Sequence, residues 1–327
     1  GGRSNVYEPR DYPVAAGVLR AGANEIRVRL VVERPGGRVT PGKRMTLTVG
    51  DDVFDLSGIW QYAVTAEADR DCPFEDFVRW KPTGLYNAML APCFPYAVRA
   101  VLWYQGESNT GDYAMRYGDE LKAMIELWRG KWHQPDMPFL IVQLPKFGID
   151  AIEDGGWPLI REQEWRVADE LEHVAAVVTL DAGESNDLHP HDKKTIADRA
   201  FNVAMDLVYG QQAQPQPVVE TAEADDGLLR MHCVWRNSMG EQMQSQNRHL
   251  MTLDGDVPRE IDFLWHDCAT SVRAEAWLDG CDIVARIPSR MPDEVRYAWS
   301  NSPESGLICD GDGVLLPPFH LPLPMVD

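Results

Sequence analysis

The chain has no apolar run long enough to cross a bilayer. Its longest, such as Val174 to Leu180, fall far short of the roughly 20 residues a spanning helix needs. Its six cysteines (Cys72, Cys93, Cys233, Cys268, Cys281, Cys309) form no Cys-x-x-Cys pair and no zinc-ligand spacing. A metal ribbon and a thioredoxin-like motif are therefore not indicated, and no disulfide framework is visible. Basic residues are also scarce, with 31 Lys and Arg against 51 Asp and Glu and a net charge of −20. That balance argues against nucleic acid or an anionic membrane as a general partner. The first residues are polar and glycine-rich, without a signal-peptide core and without an initiating methionine, which leaves room for a targeting segment upstream.

What is present is a packed chain. An apolar fraction of 44% over 327 residues points to folded structure in two or three domains. Residues 24–32 alternate Ile26, Val28, Leu30 and Val32 against Arg27 and Arg29, then reach Pro35-Gly36-Gly37, the pattern of a half-buried antiparallel strand and turn. From residue 98 the pattern changes. Val98 to Trp103 reads as a strand, and Tyr117, Leu121, Met124, Ile125 and Trp128 recur at helical spacing. Phe139 to Leu144 is a second apolar run, and Trp157, Ile160, Val167 and Leu171 mark a second helix. Val174 to Leu180 is a third strand, and Ile196, Ala200, Val203 and Leu207 a third helix closed by Gly210. This βαβαβα order predicts a parallel sheet covered by helices. A polar, proline-bearing linker follows at Gln211 to Pro217. Beyond it, Leu229, Met231, Cys233 and Trp235 alternate, Asp279-Gly280 reads as a hairpin turn, and Val295, Tyr297 and Trp299 alternate again. The expected division is a β region over 1–60, an α/β catalytic region over 61–212 and an antiparallel β-domain over 213–327.

Two loops carry the chemistry. Trp103-Tyr104-Gln105-Gly106-Glu107-Ser108-Asn109 follows the first strand of the α/β region, and Asp187-Leu188-His189-Pro190 follows the third. Loops at the carboxyl ends of parallel strands are where α/β proteins keep their sites. Together they offer an amide, a glycine, carboxylates and an imidazole, most of what acyl transfer needs. His189 suits a general base, or is a surface histidine in an acidic loop. Gln105 suits an oxyanion donor beside Gly106, whose backbone a ligand can approach closely, or caps the helix that starts near Asp112. Glu107 would contact a sugar hydroxyl or form a structural salt bridge. Asn87, with Tyr86 and Met89, would pack against the site or belong to the core. Ser108 is a poor nucleophile candidate because Gly106-Glu107-Ser108-Asn109-Thr110 lacks the second glycine of a nucleophile elbow. His191 and Asp192 raise a metal alternative, weakened by Pro190 and by the missing third ligand.

The stretches GLYNAMLAP, VLWYQGESN, PFLIVQLP, LHPHDK and VRYAWSNSP, with GVLRAGANEIRVRL near the start, make the chain similar to sialate O-acetylesterases of the SGNH-hydrolase type. The resemblance covers nearly the whole chain, and WYQGESN is its most specific part. It implies an α/β protein with a three-layer, SGNH-like parallel sheet, here incomplete, flanked by antiparallel β-domains. It also implies removal of O-acetyl groups from sialic acid or a related sugar by a Ser-His-(Asp) mechanism without metal or organic cofactor, in a periplasmic or secreted protein. By that likeness Gln105 would serve the oxyanion hole, His189 the base and Asp187 its orienter, although many SGNH enzymes place the acid where this chain has Asn186. Gly106, Glu107, Asn87 and Arg161 would lie in the oxyanion or substrate-binding region, with Arg161 or Lys146 as the local cation for a sialate carboxylate. The family's GQSNM nucleophile segment is not found here. Ser4 in Gly2-Arg3-Ser4-Asn5 is a superficial match without a preceding strand, so the serine is expected upstream of residue 1 and the chain alone is expected to be inactive. Two alternatives stand beside this reading: a carbohydrate-binding protein that has lost the nucleophile, and an acetylxylan-type esterase.

Overall fold

In the computed structural model, which describes residues 11–30, 44–66, 81–148, 156–244, 248–255, 257–268 and 270–323, all four residues of Phe139–Val142 are buried. A strand with no exposed face needs helices on both sides, the condition for a parallel strand between crossovers. The strands Val101–Trp103 (β3), Phe139–Val142 (β4) and Val174–Val177 (β5) run parallel in the order β3-β4-β5. They alternate with helices Ala114–Trp132 (α1), Trp157–Glu170 (α2) and Lys193–Leu207 (α3). Phe139 and Ile141 of β4 pack with Tyr117, Leu121 and Ile125 of α1 and Ile160 and Val167 of α2. Leu140 and Val142 turn to the opposite face and meet Ile196, Ala200 and Leu207 of α3. The two-residue alternation of a strand therefore assigns one helical layer to each face.

Helix ends follow local chemistry. Asp192 caps α3 by accepting the Thr195 N–H at 3.1 Å. Pro158 occupies the first turn of α2, where its missing N–H is harmless. α1 ends at His133, in the left-handed region at φ 54°, whose N–H returns to Arg129 and Gly130 carbonyls.

The carboxyl-terminal part is antiparallel. Gln216–Asp225 (β6) and Leu228–Arg236 (β7) form a hairpin over Asp226-Gly227, both at positive φ, the conformation a tight hairpin turn demands. The short strand Gln242–Met243 (β8) pairs with the end of β7. Ala276–Asp279 (β12) and Asp282–Arg286 (β13) extend this sheet in the order β12-β13-β7-β6. A second sheet contains Ile261–Leu264 (β10), Val272–Arg273 (β11), Glu294–Tyr297 (β14) and Phe319–Pro322 (β16), ordered β11-β10-β14-β16. Leu250–Thr252 (β9) pairs with Ile308–Asp310 (β15). The alternating residues Leu229, Met231, Cys233 and Trp235 are all buried and meet Ile261, Phe263, Val295 and Tyr297 in one core. The molecule is thus mixed α/β, a parallel sheet beside several antiparallel ones.

The chain falls into two compact units, Gly1–Leu85 and Tyr86–Asp327. In the first, the described regular structure is a hairpin of Thr46–Val49 (β1) and Asp52–Asp55 (β2). The strand expected over residues 24–32 is not formed in its described part. Residues 24–30 have no strand partner among the described residues, and Val28 and Leu30 are 64% and 56% exposed. Alternation supplies a face, but the backbone hydrogen bonds of a strand must come from a neighbour. Val32, the turn Pro35-Gly36-Gly37 and Ser4 lie outside the described residues.

Asp310, 1% exposed, anchors the antiparallel core. One oxygen accepts Trp235 Nε1–H at 2.9 Å and lies 3.2 Å from Arg248 Nη1, and the other accepts the Asp312 and Val314 amides at 3.0 Å each. Asp310→Ala strands these donors and is expected to cost about 3 kcal/mol in urea unfolding. A loss below about 1 kcal/mol would show that the network does not hold the core.

Candidate active site

Because β3, β4 and β5 are parallel, their carboxyl ends lie along one edge, with β3 and β5 roughly 10 Å apart across β4. Gln105 follows β3 by two residues, Leu144 and Pro145 follow β4, and the loop carrying Asp187 and His189 follows β5. Direct contacts join the last two. Lys146 N–H donates to Ala182 O at 3.1 Å and Gly148 N–H to Ser185 O at 2.7 Å. Gly183, at φ 85°, is crowded by Pro145, Lys146 and Pro190, so the turn before His189 seats directly on the loop after β4.

The Gln105 loop is tied down from below. Trp103 Nε1–H donates to Tyr117 Oη at 3.1 Å, and the Tyr117 hydroxyl donates to the Gln105 carbonyl. Burial, reinforced by Glu164, raises the Tyr117 phenol far above its ordinary value, so it stays a donor. Gln105 Nε2 donates to Asn109 Oδ1 at 3.1 Å, so its amide braces its own loop rather than capping α1, which begins at Ala114. An amide nitrogen has two hydrogens, leaving one for an incoming oxygen. The Gly106 N–H is taken by Glu107 Oε2 at 3.0 Å, and its use as an oxyanion donor requires Glu107 to turn away. Gly106 itself is buried, and a Cβ there would meet Ile160 Cγ2 at 2.9 Å.

On the other loop His189 is half-buried. Asp187 Oδ1 accepts the His189 backbone N–H at 3.0 Å, while Oδ2 lies 3.3 Å from His191 Nε2. Asp187 thus fixes where the His189 backbone sits and pairs with the second histidine. Lys193, at the start of α3, places Nζ 5.0 Å over the Tyr104 ring, linking the His189 side of the edge to the Gln105 side. Among the described residues no group of three or more His, Cys, Asp or Glu side chains converges as metal ligands.

Two expected members sit elsewhere. Asn87 is exposed in the helical turn Tyr86–Leu90. Tyr86 packs 5.9 Å from Phe94, which lies edge-on to Trp132 at 4.6 Å. Trp132 ends α1, and α1 leads from the carboxyl end of β3 to the amino end of β4, so this segment occupies the edge opposite the two loops. Arg161 is 0% exposed, and its guanidinium donates to four carbonyls: Leu144 (2.7 Å), Pro145 (2.9 Å), Ser300 (2.8 Å) and Asn301 (3.1 Å). Burial lowers it to about 9, opposed by Glu164. It is a staple between backbone segments rather than a cation presented to a ligand. Lys146, by contrast, stands on the loop after β4, 3.7 Å from Glu304.

Sequence reasoning missed Glu164. It lies on the apolar stripe of α2, between Ile160 and Val167, and is fully buried. Its Oε2 accepts the Leu144 N–H at 3.1 Å, and its Oε1 faces Gly106. A carboxylate at an i, i+4 position among core residues was the available signal. A cavity of about 720 Å³ is lined by α2, β5, α3 and the β6–β7 sheet and does not include Gln105 or His189.

Removing the staple tests its role. Arg161→Ala is expected to cost about 3 kcal/mol or more in urea unfolding by orphaning four carbonyls, two of them buried and two half-buried, and Arg161→Lys to recover little of it, because an ammonium cannot span that fork. A neutral Arg161→Ala would overturn the structural assignment. Gly106→Ala should destabilise by about 1–3 kcal/mol through the Ile160 clash.

Residues 75–199, which hold both loops, match the family described as carbohydrate esterase, sialic acid-specific acetylesterase. The sialate O-acetylesterase of Mus musculus is 30% identical over 264 residues, covering 72% of this chain and 47% of that protein. The human sialate O-acetylesterase is 30% identical over 174 residues, covering 46% of this chain and 33% of that protein. Among solved structures, a carbohydrate acetylesterase from Xanthomonas citri superposes with a TM-score of 0.64 at 29% identity, covering 72% of this chain and 53% of that one. The chain therefore spans about half the length, or less, of the relatives it matches. The resemblance carried by WYQGESN is borne out: the chain is similar to sialate O-acetylesterases over 72% of its length, and residues 75–199 carry the match to the sialic acid-specific acetylesterase family.

Proposed function

We propose that this chain supplies the general base and the oxyanion side of a carbohydrate O-acetylesterase. The observation that carries the reading is the shared sheet edge: an amide-bearing loop after β3 and an imidazole-bearing loop after β5, joined through the loop after β4. The region 61–212 is the catalytic part in this proposal, of SGNH type, with residues 213–327 as an accompanying β-domain. A serine supplied from outside these 327 residues attacks the acetyl carbonyl, and His189 accepts its proton. Gln105 Nε2–H stabilises the oxyanion. Collapse expels the sugar oxygen, which takes the proton back from His189. Water, deprotonated by His189, then releases acetate from the serine. The open edge of β3, where Leu102 is 58% exposed, supports a sheet that continues beyond the three strands described. A secreted or periplasmic location belongs to the same proposal, taken from the likeness.

The substrate is an O-acetylated carbohydrate. The relatives' names point to sialate, but Arg161 is committed to the scaffold, so a sialate carboxylate would have to be met by Lys146 or Lys193 against a net charge of −20. Acetate release from O-acetylated sialic acid and from acetylated xylan, compared on the complete polypeptide, decides the class. Faster turnover of xylan would remove sialate from the proposal. In that polypeptide Gln105→Ala is expected to lower kcat by about 10²–10³-fold, and His189→Ala by at least as much. An unchanged kcat in either variant would remove that residue from the mechanism.

A further inference from the structure

We propose that Glu164 is a positioning residue that locks the Gln105–Gly106 loop to the loop after β4, and so sets the oxyanion geometry. Its catalytic consequence rests on the esterase reading above, whereas its structural consequence does not. The side chain is 0% exposed and stands on α2 between the two loops. Oε2 accepts the Leu144 N–H at 3.1 Å, an amide just past the end of β4. Oε1 has no hydrogen-bond partner among the described residues and points at the underside of Gly106. It lies 3.3 Å from the point where a Gly106 Cβ would be, and Tyr117 Oη lies 3.4 Å from that same point. The carboxyl and the phenol therefore flank the Gly106 Cα, and the phenol already holds the Gln105 carbonyl.

A buried carboxyl group with one bare oxygen is costly as an anion and useful as an acid. Desolvation pushes Glu164 well above the ordinary carboxylate range. The Leu144 N–H and Arg161 pull it down, and Glu107 pushes it further up. The groups that face it are Glu107 on the loop above, Tyr104 and Tyr117 on the β3 and α1 side, and Arg161 on its own helix, four of whose five N–H groups donate to carbonyls. As the neutral acid, Glu164 avoids the cost of a buried anion while Oε2 still accepts from Leu144. Glu164 then acts on the Gln105–Gly106 turn by packing beneath Gly106 beside the Tyr117 phenol, which itself donates to the Gln105 carbonyl.

The sign of the pH dependence follows. The folded carboxyl binds its proton more tightly than the unfolded one, so the folded state holds more protons between the unfolded value and the raised folded value. Stability is complete below that window and falls as pH rises through it. Glutamine keeps an acceptor and a donor at the same positions and cannot ionise, so Glu164→Gln should abolish the fall.

The test is hydrogen exchange of the peptide covering residues 101–113, corrected for intrinsic rates, alongside urea unfolding from about pH 5 to 9 on the whole chain. Near pH 6 Glu164→Ala is expected to speed exchange there about tenfold while Glu164→Gln matches the parent. As pH rises, the parent should lose protection and stability while Glu164→Gln holds both. If Glu164→Ala does not fold, the comparison of parent with Glu164→Gln decides alone. Equal pH dependence in those two proteins, or loop exchange in Glu164→Ala no faster than in the parent, overturns the proposal. In the complete esterase Glu164→Ala should lower kcat with little change in KM, and Glu164→Gln should restore it. Loop exchange behaving as expected with no acetate released by any protein would sink the esterase reading and leave the positioning role standing.

Discussion

The edge of the parallel sheet depends on a buried cation. Arg161 has lost its water entirely, a cost that only directed acceptors offset, and four backbone carbonyls from two distant parts of the chain supply them. Two belong to the loop that leaves β4. The others belong to Ser300 and Asn301, just past β14 in the antiparallel region. Asn301 also accepts the Trp157 N–H on its side chain and the Phe147 N–H on its carbonyl, so α2, the β4 loop and the carboxyl-terminal region meet at one point.

One turn along the same helix, Glu164 extends the anchoring toward the β3 loop. The two side chains act on complementary groups, since the guanidinium gathers carbonyls and the carboxyl takes the neighbouring Leu144 N–H. A loop can keep a defined shape at a strand end when its backbone donors and acceptors are met from beneath. The Gln105 loop is held in this way through Tyr117, and Gly106 is glycine because the packing against Ile160 leaves no room for a Cβ.

The α/β half was legible because its signals are local. Apolar runs, helical spacing and the polar loops after strands are properties of short windows, and each mapped to an element within a few residues. Gln105, Gly106 and His189 were singled out for the same reason, since a polar residue just beyond a buried strand marks a strand end. Arg161 and Asn87 were placed with the site because their charge and polarity are visible in sequence while their surroundings are not. Arg161 points into carbonyls contributed from residues 144 to 301, and Asn87 is carried to the opposite edge by the direction of α1. Glu164 went unread because a glutamate within a helical pattern ordinarily faces water. At the amino-terminal end the alternation of Ile26, Val28 and Leu30 was a real pattern, but alternation does not supply a partner strand.

By itself, then, the sequence determined which segments of the α/β half are strands and helices, that those strands run parallel, and which loops hold an amide and an imidazole, because these follow from short patterns along the chain. Tertiary structure alone decided which charged side chains are interior, which loops are tied to each other, and on which edge each polar residue stands. Those outcomes depend on atoms brought together from far apart in the chain, and burial, which sets the cost of a charge and the worth of a hydrogen bond, exists only once they meet.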